Sequence, residues 1–160
     1  MGSRHPNSPN TMSRQTASIL IDRAPEVVFA YMDDIAREQD WQPNLRSAAQ
    51  DPPGPSRIGT RKRYVSRFMG RDIENTYRIT ELDPGRRVVY ETDEDSAVDV
   101  RSEVVWEPRG SSTWVTMTVE GRPKGFLRFL PGKVLEAAYR EEIEGSLARL
   151  KVRLESADGV

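Results

Sequence analysis

The side chains able to do chemistry in this 160-residue sequence are narrowed first by what is missing. There is no cysteine, which excludes disulfides, thiolate nucleophiles and cysteine metal sites. The sole histidine, His5, stands in a leader rich in Ser, Pro and Asn. Its placement removes the commonest general base, the usual hydrolase triads and most zinc sites. What remains is a set of neutral hydrogen-bonding groups within apolar, alternating runs: Tyr64, Tyr77 and Tyr90 with Asn75, Thr92 and Ser102. Such groups can hydrogen-bond a carbonyl or a developing enolate. A polar side chain turned inward costs about 1–3 kcal/mol if unpaired, so each of the six requires a ligand, a bound water or a backbone partner. The same holds for the indole of Trp106. On the alternating register no Asp or Glu points inward in mid-strand, which counts against acid–base chemistry.

The charged residues point elsewhere. Arg57, Arg61, Lys62, Arg63, Arg67 and Arg71 crowd one hairpin region, and alternation puts Arg61, Arg63 and Arg67 on the face opposite Tyr64 and Phe68. With a net charge of −1, that face reads as solvated rather than as a nucleic-acid site. Asp93, Glu94 and Asp95, and Asp33 with Asp34, lack the glycine and terminal glutamate of a calcium loop. Neither a metal nor a cofactor is expected.

The elements that must position these residues follow from periodicity. Residues 1–12 read as a disordered leader without the apolar stretch of a signal peptide, residues 13–156 as one domain, and residues 157–160 as a tail. Gln15–Ile21 reads as a strand. Pro25 then suits the first position of a helix, with Asp22 expected to bend back and cap it, and Val28, Tyr31, Met32 and Ile35 form its apolar face. A second short helical turn runs to Asp40 and ends at Trp41-Gln-Pro43. From Leu45 to about Gly121 the pattern changes to period two, and beyond the Asp51–Pro55 loop strand-like runs occupy 59–69, 72–82, 87–93, 97–107 and 112–120, separated by short turn segments such as Met69-Gly70 and Asp83-Pro-Gly85. A long helical stretch over 126–155, broken at Pro131-Gly132, carries one apolar stripe: Leu135, Tyr139, Ile143, Leu147, Leu150 and Leu154. No segment approaches a membrane span, and a cytoplasmic location is expected.

Three stretches carry a family resemblance. The opening Ser18-Ile-Leu-Ile-Asp-Arg-Ala-Pro-Glu-Val-Val-Phe-Ala-Tyr-Met-Asp33 resembles the first strand and helix of polyketide cyclase/dehydrase proteins. Trp41-Gln-Pro43 resembles their tryptophan–proline segment, and Ile79–Gly85 with Val88–Glu91 is similar to their central hairpin. The resemblance covers roughly Ser13 to Ser156 and places the chain in the START-like (SRPBCC) superfamily. It implies an α+β helix-grip fold: a curved antiparallel sheet wrapped around a long C-terminal helix, with two short helices after the first strand. In that fold the concave sheet face and the inner helix face enclose a ligand.

Period two then nominates the lining. Tyr64, Phe68, Ile73, Asn75, Tyr77, Ile79, Val88, Tyr90, Thr92, Val100, Ser102, Val104, Trp106, Val115, Met117 and Val119 come from the strands, and Leu135, Tyr139 and Ile143 from the helix. Trp41 and the Phe126–Leu130 segment are placed to cover an entrance. The expected partner is a small hydrophobic molecule, a lipid, polyketide or aromatic metabolite, with no nucleic acid and the oligomeric state left open. Three readings stand: binding or carriage of that molecule, cyclase/dehydratase-type catalysis through the Tyr, Asn, Ser and Thr groups, and a protein-interaction module with a filled core.

Overall fold

The computed structural model describes residues 12–156, so nearly all of the expected leader and the 157–160 tail lie outside the described residues. The elements run β1 (Met12–Ile21), α1 (Pro25–Asp33), a 3₁₀ turn (Ile35–Arg37), α2 (Glu38–Trp41), β2 (Leu45–Asp51), β3 (Arg61–Phe68), β4 (Arg71–Asp83), β5 (Arg87–Thr92), β6 (Val98–Arg109), β7 (Ser112–Pro123), a second 3₁₀ turn (Gly125–Phe129) and α3 (Gly132–Glu155). The seven strands form one antiparallel sheet in the order β1-β7-β6-β5-β4-β3-β2. Five consecutive hairpins build it from β2 to β7, and β1 closes onto β7. This is the helix-grip architecture, with the 3₁₀ turn and α2 together forming the second short helical segment.

Side chains directly opposite one another across adjacent strands share a face. Ile79, Tyr90, Ser102 and Val119 make one row across β4, β5, β6 and β7, and Val88, Val104, Met117 and Ala17 make the next, from β5 to β1. Register shifts in β1, β2 and β4 insert the irregularities that bend a sheet. The sharpest steric demand is at Gly121, opposite Val100. A Cβ there would stand 2.1 Å from the carbonyl oxygen of Asp99, so β6 and β7 approach as they do only because that atom is missing.

The apolar stripe of α3 is buried along its length: Leu135, Tyr139, Ile143, Leu147, Leu150 and Leu154. Its C-terminal half packs with Val104, Trp106, Val115, Ile21, Val28 and Met32, and its N-terminal half with Val98, Val100, Val119, Phe68 and Ile73. Arg140 reinforces the docking on β1, its Nε donating to Gln15 Oε1 at 3.0 Å. No helix among the described residues is long and apolar enough to cross a membrane.

Two local expectations are corrected and one is filled in. Met12 begins β1 instead of ending the leader. Asp22 does not cap α1: the cap position is Ala24, without a side-chain bond, and Asp22 Oδ1 accepts from the Ser112 hydroxyl at 3.1 Å. Leu45–Asp51, where the period-two region begins and no separate strand is named from sequence, is a strand at the sheet edge.

Leu147, 1% exposed, sits where α3 meets the sheet. Leu147→Asp buries a charge with no partner and should remove about 4 kcal/mol or more of stability. Thermal unfolding followed by circular dichroism checks this; an unchanged midpoint would refute the docking.

Candidate functional site

Between the two packed clusters lies a cavity of about 130 Å³, bounded by members of both. Its wall takes Tyr64, Ser66 and Phe68 from β3, Ile73, Asn75 and Tyr77 from β4, Tyr90 from β5, Val100, Ser102, Val104 and Trp106 from β6, and Met117 and Val119 from β7. The helices add Phe29, Met32 and Asp33 from α1, Glu38 and Trp41 from α2, and Tyr139, Glu142, Ile143 and Ser146 from α3; Gln42 completes it. Of the ligand-site residues nominated from sequence, Trp41, Tyr64, Phe68, Asn75, Tyr77, Tyr90, Ser102, Val104, Trp106, Met117 and Tyr139 come together here.

Thr92 and Leu135 do not. The Thr92 hydroxyl is turned to the neighbouring strand, where Oγ1 accepts from Val100 N at 2.9 Å. Leu135 lies toward the far end of α3, beside a small void it shares with Val98, Val100, Arg122, Pro123 and Tyr139. Of the other strand residues nominated, Ile79, Val88 and Val115 are packed into the core and leave the cavity to their neighbours. The Phe126–Leu130 segment divides: Leu127 is buried in the core and Phe129 is exposed.

Aromatic rings dominate the wall. Phe29 meets Trp106 edge-on at 5.1 Å, Phe68 lies 5.1 Å from Tyr139, and Tyr64 lies 5.6 Å from Tyr77. Trp106 Nε1 donates to Met32 Sδ at 3.3 Å, whereas the buried Trp41 Nε1 has no partner among the described residues. Asn75 is half committed, its Oδ1 accepting from Ala97 N at 2.9 Å. The hydroxyls of Tyr77, Tyr90, Tyr139 and Ser102 form no hydrogen bond with another described residue, and they front the cavity. Burial first, then nearby carboxylates, push the Tyr77 and Tyr90 hydroxyls above the usual phenol range; for Tyr139 burial leads, followed by Tyr77 and Glu142. All three stay protonated and able to donate.

Sequence reasoning missed the ionic part of the wall. Lys62 is completely buried; alternation places it on the same face as Tyr64, inward, unlike its arginine neighbours. Lys62 Nζ reaches the Asp33 main-chain oxygen at 3.2 Å, Asp33 Oδ1 at 3.4 Å and Glu38 Oε1 at 3.4 Å. Glu38 Oε1 also accepts from the Tyr64 hydroxyl at 2.8 Å, and Oε2 from Gln42 Nε2. Burial raises the Glu38 carboxyl above its ordinary range, opposed by Lys62, Tyr64 and Gln42. The ammonium therefore caps the last turn of α1, where a cation is favoured, and ties both short helices to β3. By contrast Arg61, Arg63 and Arg67 meet Asp93, Glu74 and Asp72 on the outer face, as exposed pairs worth little individually.

Glu142 is the second omission. Tyr139, Glu142, Ile143 and Ser146 stand at helical spacing on one face of α3, so the signal was present. The half-buried Glu142 carboxyl has no ion pair or hydrogen bond among the described residues, and loss of water around it pushes its pKa up to about 7. The strands indeed turn no carboxylate into the cavity; the helices supply all three.

Two measurements follow from this chemistry. Lys62→Met strands Glu38 without its cation and should cost about 3–5 kcal/mol at pH 7. Burial already raises the Glu38 carboxyl, so the cost should shrink as pH falls and protonation removes the stranded charge, and adding Glu38→Gln should restore part of it; urea denaturation at pH 7 and at lower pH checks both. For Glu142, a folded pKa raised from 4.5 means that stability is fully present below the unfolded value and is lost as pH rises from about 4.5 through about 7. Glu142→Gln should remove that loss and stabilise the protein at pH 8 by on the order of 1–3 kcal/mol, while changing little at pH 4.

The comparisons with known proteins agree with this fold. Residues 12–155 match the family described as "Polyketide cyclase / dehydrase and lipid transport". No curated protein sequence matches the chain. Among solved structures, a protein from Thermus thermophilus superposes with a TM-score of 0.78 at 20% identity, over 91% of this chain and 99% of that one. A START superfamily protein from Mycobacterium smegmatis gives 0.75 at 14% identity, over 89% and 97%. The Zhui aromatase/cyclase from a Streptomyces species gives 0.72 at 17% identity, over 93% and 99%. At these identities the structural likeness speaks for the fold, and the sequence match speaks for the family: the chain belongs to the polyketide cyclase/dehydrase and lipid transport family.

Proposed function

We propose that the protein binds or carries a small hydrophobic molecule in the cavity under α3. The observation carrying this reading is the cavity itself, about 130 Å³ walled mainly by aromatic and aliphatic side chains, with a few hydroxyls left unpaired. An engineered apolar cavity of about 150 Å³ takes benzene, so the size favours a ligand whose buried part is one or two rings. The free tyrosine and serine hydroxyls supply the orienting contacts typical of small-molecule sites. The interaction-module reading expects a filled core, and the cavity weighs against it.

A second reading, cyclase/dehydratase-type catalysis, is favoured by Glu142. A carboxyl held near neutral pKa beside Tyr77 and Tyr139 has the properties of a base that takes a proton from the carbon between two carbonyls. A tyrosine hydroxyl would then donate to the resulting enolate oxygen.

Titration with the neutral fluorophore 2-methoxynaphthalene tests the binding reading. Ser102→Phe, which fills space beside Tyr90 and Val119, should abolish binding. Tyr77→Phe or Tyr90→Phe should shift affinity by only about 0.5–1.5 kcal/mol, the net worth of one hydrogen bond. Failure of the wild type to bind would refute this reading. Turnover of a polyketide mimic that falls more than about tenfold in Glu142→Gln, with probe affinity retained, would transfer the case to catalysis.

A further inference from the structure

The charge lining the cavity has one sign. Among the described residues its wall contains the carboxyls of Asp33, Glu38 and Glu142, and no Arg, Lys or His. Composition does not explain the bias, since the chain holds 24 Lys and Arg against 25 Asp and Glu. Among the described residues the one completely buried cation, Lys62, is outside the cavity wall and already committed to Glu38 and Asp33. Asp33 is further engaged, Oδ2 accepting from Ser56 N at 3.2 Å. Glu142 alone of the three lacks any such partner.

The uncharged part of the wall points the same way. Faces of aromatic rings carry negative potential and attract cations, most strongly when water is excluded. Tyr77 and Tyr139 are close enough to Glu142 for its charge to be felt at both hydroxyls. Lys62, 5.9 Å from the centroid of the Tyr90 ring, already makes such a contact from outside the lining set. A ligand bearing a carboxylate would face the unpaired Glu142 carboxyl and find no available cation, since Lys62 is held by Glu38 and Asp33. A ligand bearing an ammonium would find an unpaired carboxylate and aromatic faces, and its ring or chain would fill the remaining volume.

We propose that the cavity is selective for a hydrophobic amine, one or two rings carrying a single ammonium group, with Glu142 as its counter-ion. This rests on the binding reading above and names the ligand class for that site. The ammonium replaces the water that Glu142 has lost, and a charge-assisted hydrogen bond forms where the protein alone leaves the carboxyl unpaired.

Isothermal titration at pH 7.5 with 2-phenylethylamine, 2-phenylethanol and phenylacetate, matched in shape and differing in charge, tests the selectivity. The amine should bind at least about tenfold more tightly than the acid. Glu142→Gln should weaken the amine by about tenfold and leave the alcohol within about twofold. Equal or tighter binding of phenylacetate by the wild type would overturn the proposal without recourse to any variant. So would an amine affinity indifferent to Glu142→Gln. If none of the three compounds binds, the proposal also falls. Titration of the same preparation with 2-methoxynaphthalene then separates the two failures, since its binding leaves the cavity reading standing and its absence removes both.

Discussion

The structure depends on laying one long amphipathic helix across a bent sheet. Irregularities in β1, β2 and β4 and the missing side chain at Gly121 curve the strands, while α3 remains a single uninterrupted helix from Gly132 to Glu155. A helix is about 10 Å across with its side chains, so it can fill only part of a concave face seven strands wide. Its firmest docking is against β1, at one edge of the sheet. Toward β3, β4 and β5 the helix backbone stands farther off and reaches the sheet through long side chains, as Tyr139 does against Phe68. There the side chains are Tyr64, Tyr77 and Tyr90, large enough to wall a space without filling it.

What closes that space is ionic. Trp41 and Met32 supply apolar surface, but α1 and α2 are short, and α2 has only four residues. Helices of this length have little stability of their own and need tertiary anchoring. The Lys62 ammonium supplies it by joining the end of α1, the start of α2 and β3, the strand next to the sheet edge, at one point. Desolvating that ammonium is expensive, and two carboxyls with a main-chain oxygen offset the expense. The same arrangement fixes the Tyr64 hydroxyl on Glu38, so one of the cavity's tyrosines is held rigid while three keep free hydroxyls.

Much of this was legible in the sequence, because both periods are local. Alternation in β6 (Val98, Val100, Ser102, Val104, Trp106) and the stripe from Leu135 to Leu154 determine which side chains face each other, and the cavity wall follows from the two together. Thr92 obeys the same alternation yet is lost to the site, because at the end of β5 its hydroxyl is near enough to bond the backbone of β6. The short edge strand β2 was hidden by its bulge between Leu45 and Ser47 and by its mostly polar surface. Lys62 and Glu38 are 24 positions apart, and neither residue carries a local sign of its partner; a buried charge is legible only once the chain has folded it against its counter-charge. Glu142 had the spacing but the wrong polarity for a hydropathy argument, which assigns carboxylates to water.

The placement of the tryptophans has a spectroscopic consequence. Of the three in the chain, Trp41 and Trp106 stand in the cavity wall, one on α2 and one on β6. Trp41 is buried with its indole N–H unsatisfied, an environment that places emission at short wavelength, while Trp106 is held by Met32 and Phe29. The third, Trp114, lies against the guanidinium of Arg109, outside the cavity lining. The protein therefore contains its own optical gauge: whatever enters the cavity must perturb two of its three native fluorophores, so occupancy can be read without any label attached.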